Sequence, residues 1–120
     1  MTTLQKYIYV LGDGDKIRDR IEYSLLRNEL EDLANVSKGI SDAIQALKSF
    51  SVSLMDAEVI MAGGDDLLFR VEYKKYKYEH IQQLSEIFQK LSGCSISFGI
   101  GESVEEAYIN LRKSKSSKVK

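Results

Sequence analysis

The sequence predicts an α+β fold, a four-stranded antiparallel sheet with helices packed mainly on one face. Three observations predict it. Short apolar runs alternate with longer segments whose apolar residues recur every three or four positions. One pair of runs, Glu58–Ala62 and Leu67–Val71, is joined only by Gly63-Gly64-Asp65-Asp66, a hairpin signal. The other runs are separated by helical segments, which restricts the connections to right-handed crossovers.

Each element follows in turn. Tyr7-Ile8-Tyr9-Val10-Leu11 is apolar throughout, as suits a central strand buried on both faces, and it runs into the acidic turn Gly12-Asp13-Gly14-Asp15. Ile17, Ile21 and Leu25 mark a first helix, which Arg27-Asn28 interrupts. Leu30, Leu33, Ile40, Ala43, Ile44 and Leu47 mark a second. Gly39 weakens that helix by roughly 1 kcal/mol relative to alanine. The hairpin comes next, then a third helix on Ile81, Leu84, Phe88 and Leu91, and a fourth strand over Ser95–Ile100. Ser103-Val104-Glu105-Glu106 reads as a capping box, opening a last helix with Val104, Ala107, Tyr108 and Leu111 on its apolar side. The basic segment Arg112–Lys120 is expected to fray in part. For the order βααββαβα the common solution is ferredoxin-like, with strands one and three in the centre. Strand one then ends where strand three begins, and Asp13 meets Asp65 and Asp66.

A length of 120 residues fits a single domain spanning residues 1–120, with one real core. A formal charge of −1 argues against a surface that coats nucleic acid, so no stable nucleic-acid binding is expected. No long apolar stretch or leader pattern is present, which places the chain in the cytoplasm and away from membranes. The single cysteine, Cys94, forms no internal disulfide and reads as buried filler; with His80 the one histidine, sulfur- and histidine-based metal sites are closed off. Any metal here is bound by oxygen.

Taken singly, Gly-Gly-Asp-Asp and Asp-Gly-Asp are ordinary turn sequences. Brought together by the fold, their carboxylates repel unless a cation sits between them. The joint reading is a two-metal phosphoryl-transfer site. Other uses of an Asp-x-Asp turn fail on residues or length. An EF-hand loop needs an oxygen ligand and a glycine where Ile17 and Arg18 stand, and a dinucleotide fingerprint needs a third glycine at Ile17. A phosphatase of the haloacid-dehalogenase type needs a Rossmann-like body that 120 residues do not supply, and leaves Gly-Gly-Asp-Asp unexplained.

With these residues in place, a family resemblance follows. Strand-Asp-x-Asp, a helix, a Gly-Gly-Asp-Asp hairpin, Ser-Ile-Ser-Phe-Gly-Ile-Gly and a helix ending in lysine resemble the polymerase/cyclase palm. That fold is shared by GGDEF diguanylate cyclases and the polymerase subunit of type III CRISPR complexes. Gly12–Ile17 and Ala62–Asp66 look most like the CRISPR-type palm, and a free-standing palm of this size resembles the minimal CRISPR polymerases. The resemblance spans roughly residues 6–115 and implies a nucleotidyltransferase that releases pyrophosphate. Two Mg²⁺ or Mn²⁺ ions about 3.5–4 Å apart would be held by Asp13, Asp65, Asp66 and the Gly14 carbonyl. Gly14, Asp15, Lys16, Ile17, Arg18, Gly63, Gly64 and Lys115 would surround the nucleotide, with Asp15 supporting and Lys115 gripping the triphosphate. The amides of residues 14–18, at a helix start, suit its β- and γ-phosphates. Where diguanylate cyclases carry an asparagine that reads guanine, this chain has Ile21, which shifts the implied substrate to ATP. The implied product is a cyclic oligonucleotide, first of all a cyclic dinucleotide, made by a homodimer and sensed by a separate effector in antiviral signalling. Two other readings use the same fold: a palm that binds nucleotide or metal without turnover, and a ferredoxin-like RNA-binding module.

Overall fold

In the computed structural model, which describes residues 6–118, the strands are β1 (Tyr7–Gly14), β2 (Glu58–Gly63), β3 (Asp66–Glu72) and β4 (Ile96–Gly101). The helices are α1 (Ile17–Leu26), α2 (Leu30–Met55), α3 (Tyr78–Ser92) and α4 (Val104–Lys118). The sheet order is β2-β3-β1-β4 with every neighbour antiparallel, which is the expected ferredoxin-like palm. The strands of the hairpin reach further than the sequence implied. Gly63 pairs with Asp66, so the loop is only Gly64-Asp65, and Gly64 takes a left-handed φ of 57° that favours glycine.

Alternation along the strands sorts the two faces of the sheet. Ile8, Val10, Leu67, Phe69, Val71 and Ile96 join Ala43, Ile44, Leu47, Ile81, Leu84 and Phe88 in one core, under α2 and α3. α1 rests on α2, where the Arg20 guanidinium donates to Asp32 at 3.1 Å and the Ser24 hydroxyl donates to the same carboxylate. Gly39 has a packing reason to be there: a Cβ would stand 3.1 Å from the Leu91 carbonyl, so α2 and α3 approach closely at this point.

α4 alone crosses the opposite face, against β4 and β1. Gly99 makes that possible. A Cβ at Gly99 would overlap the Ala107 carbonyl oxygen and the Leu111 amide and stand 2.7 Å from Leu111 Cβ. Gly99→Ala is therefore expected to lift α4 and cost about 3 kcal/mol, read as a lower denaturation midpoint in urea. The Ser103 half of the capping box forms, its hydroxyl accepting the Glu106 amide at 3.1 Å; the Glu106 carboxylate reaches the Glu102 amide instead.

Several expected apolar positions stay outside the core. Leu25, Leu30, Leu91, Val104 and Tyr108 are exposed, Leu30 to 70%. Burial in α2 begins only at Val36. α4 continues into the basic segment. α4 remains helical from Arg112 to Lys118, held by buried Leu111 and by the contacts of Lys115 described below, while residues 119–120 lie outside the described residues. No helix of the described residues is long and apolar enough to cross a membrane.

Candidate active site

The site forms at the end of the two central strands. Register sets Asp13 of β1 directly opposite Asp66 of β3, and opposite Ser97 of β4 on the other side. Asp65 is the second residue of the two-residue loop, and its carbonyl accepts the Gly14 amide at 3.0 Å. Carboxylate oxygens of Asp13, Asp65 and Asp66 lie within 4.8 Å of one another, with Asp66 the most exposed of the three. Gly14 permits this approach, since a Cβ there would stand 2.7 Å from Ile17 and 3.2 Å from Asp65 Cβ.

Like charges facing each other across a strand pair are unfavourable. The three carboxyls respond in different directions. Burial first, then the neighbouring Asp13, raise the Asp66 carboxyl to about 7, and the same two causes raise Asp65. Burial acts upward on Asp13 as well, but contacts from Asp66, Asp65 and Lys115 outweigh it and hold that carboxyl below its usual value. Three carboxylates converging within 4.8 Å form an all-oxygen donor set that suits a hard divalent cation.

A pH dependence follows for the metal-free protein. The unfolded chain gives up the Asp66 proton near pH 4, whereas the folded protein keeps it up to about 7. The folded state therefore binds more protons in that window, and stability falls as pH rises through it. After allowance for solvent screening of a largely exposed group, the loss between pH 5.5 and 7.5 is about 1 kcal/mol, or roughly 4 °C in melting temperature. Thermal melts in chelator should show this decline in the wild type and a flatter profile in Asp66→Asn.

Asp15 is not part of the cluster. Its carboxylate accepts the Ser95 hydroxyl at 2.7 Å, the Ser97 hydroxyl at 2.6 Å and the Lys115 ammonium at 3.0 Å. Ser95 and Ser97 themselves were not singled out from the sequence; the signal for them is two hydroxyls at alternate positions, one just before and one within an otherwise apolar strand. Lys115 reaches the site from α4, within 3.2 Å of Asp13 Oδ2 and 3.0 Å of the Gly14 carbonyl.

Lys16 caps α1 in a left-handed conformation, φ 53° and ψ 33°, and no side chain caps the helix start. The amides of Gly14 and Asp15 are engaged by the Asp65 and Ser95 carbonyls, which corrects the expectation that residues 14–18 all present free amides. Helix geometry leaves the first-turn amides from Ile17 onward without intrahelical acceptors. Lys16, Ile17 and Arg18, with Gly14, Ile21 and Asp65, line a groove of about 640 Å³ beside the cluster. Gly63 and Gly64 have open space where a side chain would stand, so the hairpin leaves the approach to Asp65 and Asp66 clear.

Solved structures share this architecture. The crystal structure of a Csm1–Csm4 cassette in complex with cA4 superposes with a TM-score of 0.76 at 15% identity, over 93% of this chain and 20% of that one. Csm1 from T. onnurineus gives 0.75 at 16% identity, again over 93% and 20%. A sensory box/GGDEF family protein from Caulobacter crescentus CB15 gives 0.56 at 14% identity, over 94% of this chain and 80% of that one. The chain thus spans about a fifth of the Csm1 chains it matches. No curated protein matches the sequence. The sequence does match the minimal CRISPR polymerase domain, mCpol, over residues 9–120, and with the ferredoxin-like palm and its acidic strand ends this chain belongs to the minimal CRISPR polymerase family, a polymerase/cyclase-like palm domain related in fold to Csm1 and GGDEF proteins.

Proposed function

We propose that this palm is a nucleotidyltransferase that joins nucleoside triphosphates, ATP favoured, into a cyclic oligonucleotide, first of all a cyclic dinucleotide. The observation that carries the reading is the convergence of Asp13, Asp65 and Asp66 oxygens within 4.8 Å, next to an uncapped helix start. The likeness to Csm1–Csm4 cassettes solved with cA4 and with ATP supports adenine as the base, as does Ile21 in place of a polar base-reading residue.

Asp13, Asp65, Asp66 and the Gly14 carbonyl would hold two Mg²⁺ or Mn²⁺ ions. Bound there, such ions lower the pKa of an attacking ribose hydroxyl and stabilise the pyrophosphate leaving group. The remaining work belongs to the chain. The first-turn amides of α1, with Lys16 and Arg18, face the β- and γ-phosphates. Ile17 and Ile21 give the groove an apolar wall for the nucleoside. Gly63 and Gly64 leave room for the α-phosphate beside Asp65 and Asp66, and Lys115 contacts the triphosphate.

One domain supplies one triphosphate site, so two domains facing each other would close two phosphodiester bonds, which makes a homodimer the working assembly. The product would act on a separate effector protein in antiviral signalling, in the cytoplasm. Mass spectrometry of products from mixed nucleoside triphosphates and Mn²⁺ tests the proposal. An adenine-containing cyclic product with released pyrophosphate is expected; nucleotide binding without either would leave a silent palm as the account.

A further inference from the structure

Lys115 lies 101 residues beyond Gly14 in sequence, yet its ammonium is enclosed by three oxygens of the β1 turn. They are the Gly14 carbonyl at 3.0 Å, Asp15 Oδ1 at 3.0 Å and Asp13 Oδ2 at 3.2 Å. An ammonium has three N–H donors, so these three acceptors use its full capacity. The acceptors are not equivalent. Gly14 and Asp13 are groups that, on the two-metal reading above, would hold a divalent ion. Asp15 is a fixed mooring: its side chain is 12% exposed and is also bonded by the Ser95 and Ser97 hydroxyls, at 2.7 and 2.6 Å.

We propose that Lys115 is a resident cation of this site: its ammonium occupies the Gly14 and Asp13 oxygens until a divalent ion displaces it, with Asp15 as the positioning residue on which it pivots. The proposal rests on the two-metal reading: an ammonium 3.2 Å from Asp13 Oδ2 and 3.0 Å from the Gly14 carbonyl would stand beside a divalent ion held by the same two residues, and the two cations would repel each other. Before loading, the ammonium offsets the repulsion among Asp13, Asp65 and Asp66. On displacement it keeps Asp15, and two of its donors are released toward the position the triphosphate would take. A metal arriving without nucleotide must break two charge-assisted contacts and gives the ammonium no new partner. A metal arriving with a triphosphate supplies one. Loading of metal and nucleotide is thereby coupled through this one side chain.

Titration calorimetry with Mn²⁺ in the absence of nucleotide tests this directly. Lys115→Met should bind Mn²⁺ about ten-fold tighter than the wild type, because displacement of the ammonium no longer opposes binding. Lys113→Met removes the same charge from the exposed side of α4 and should leave the affinity near that of the wild type. In chelator, Lys115→Met should melt below the wild type, and its melting temperature should rise more on adding Mn²⁺. If Lys115→Met does not fold, Lys115→Gln removes the charge with less change of polarity and carries the same expectation. Equal or weaker Mn²⁺ binding by the Lys115 variant, or an equal gain in Lys113→Met, would overturn the proposal while leaving the two-metal reading standing. Absence of Mn²⁺ binding by the wild type, even beside a non-hydrolysable ATP analogue, would overturn that reading and the proposal with it.

Discussion

Asp66→Ala is expected to abolish turnover, by about a thousand-fold or more, while raising the melting temperature of the metal-free protein. Both effects come from one geometric fact. Asp66 sits directly opposite Asp13 in the strand register and shares a 4.8 Å cluster with Asp13 and Asp65. In catalysis, losing this carboxylate removes a ligand from a centre that supplies several kcal/mol of charge stabilisation. In the empty protein, the same loss removes a group that folding partly buries and sets against like charge, as its carboxyl raised to about 7 records. Asp65→Ala should lose activity similarly, with a smaller gain in stability, because burial and Asp13 raise its carboxyl without setting it in the strand pair. Activity in a pyrophosphate-release assay and melting in chelator read the two effects separately. Retained activity together with an unchanged or lower melting temperature would remove the metal-cluster reading.

Specific activity should rise with protein concentration until a dimer saturates. A cyclic dinucleotide needs two triphosphates head to tail, each hydroxyl aimed at the other's α-phosphate, and a two-fold axis between identical sheet ends provides this with one interface. In an equimolar mixture with Asp65→Ala, each mixed dimer can complete only one bond. Cyclic product should then fall to about a quarter of the wild-type level, where simple dilution leaves about half. Light scattering with a bound ATP analogue supplies the assembly state. A monomer whose activity per subunit is flat on dilution would replace the two-fold model with sequential synthesis on one chain.

The sequence by itself determined the element order, the central place of β1 and β3, and the meeting of Asp13 with Asp65 and Asp66. These were legible because their causes are local. A continuous apolar run makes a central strand, glycine-rich acidic turns mark strand ends, and few strand orders accommodate βααββαβα. Tertiary structure decided what surrounds the carboxylates. The face that α4 would take depends on Gly99 letting two backbones touch, which periodicity in either element does not reveal. The apolar spacing of Leu25 and Leu30 marked helices correctly, yet α1 and the start of α2 lie beyond the main core and leave both side chains exposed. The sequence places the amides of Gly14 and Asp15 at a helix start, but they are engaged by Asp65 and by Ser95, the latter just before a strand that arrives much later in the chain. Lys115 was legible as a cation near the site, whereas its mooring on Asp15, Ser95 and Ser97 was not. Hydrogen-bond partners separated by 80 to 101 residues are chosen by the packed geometry of strands and helices, and spacing along the chain carries no trace of that choice.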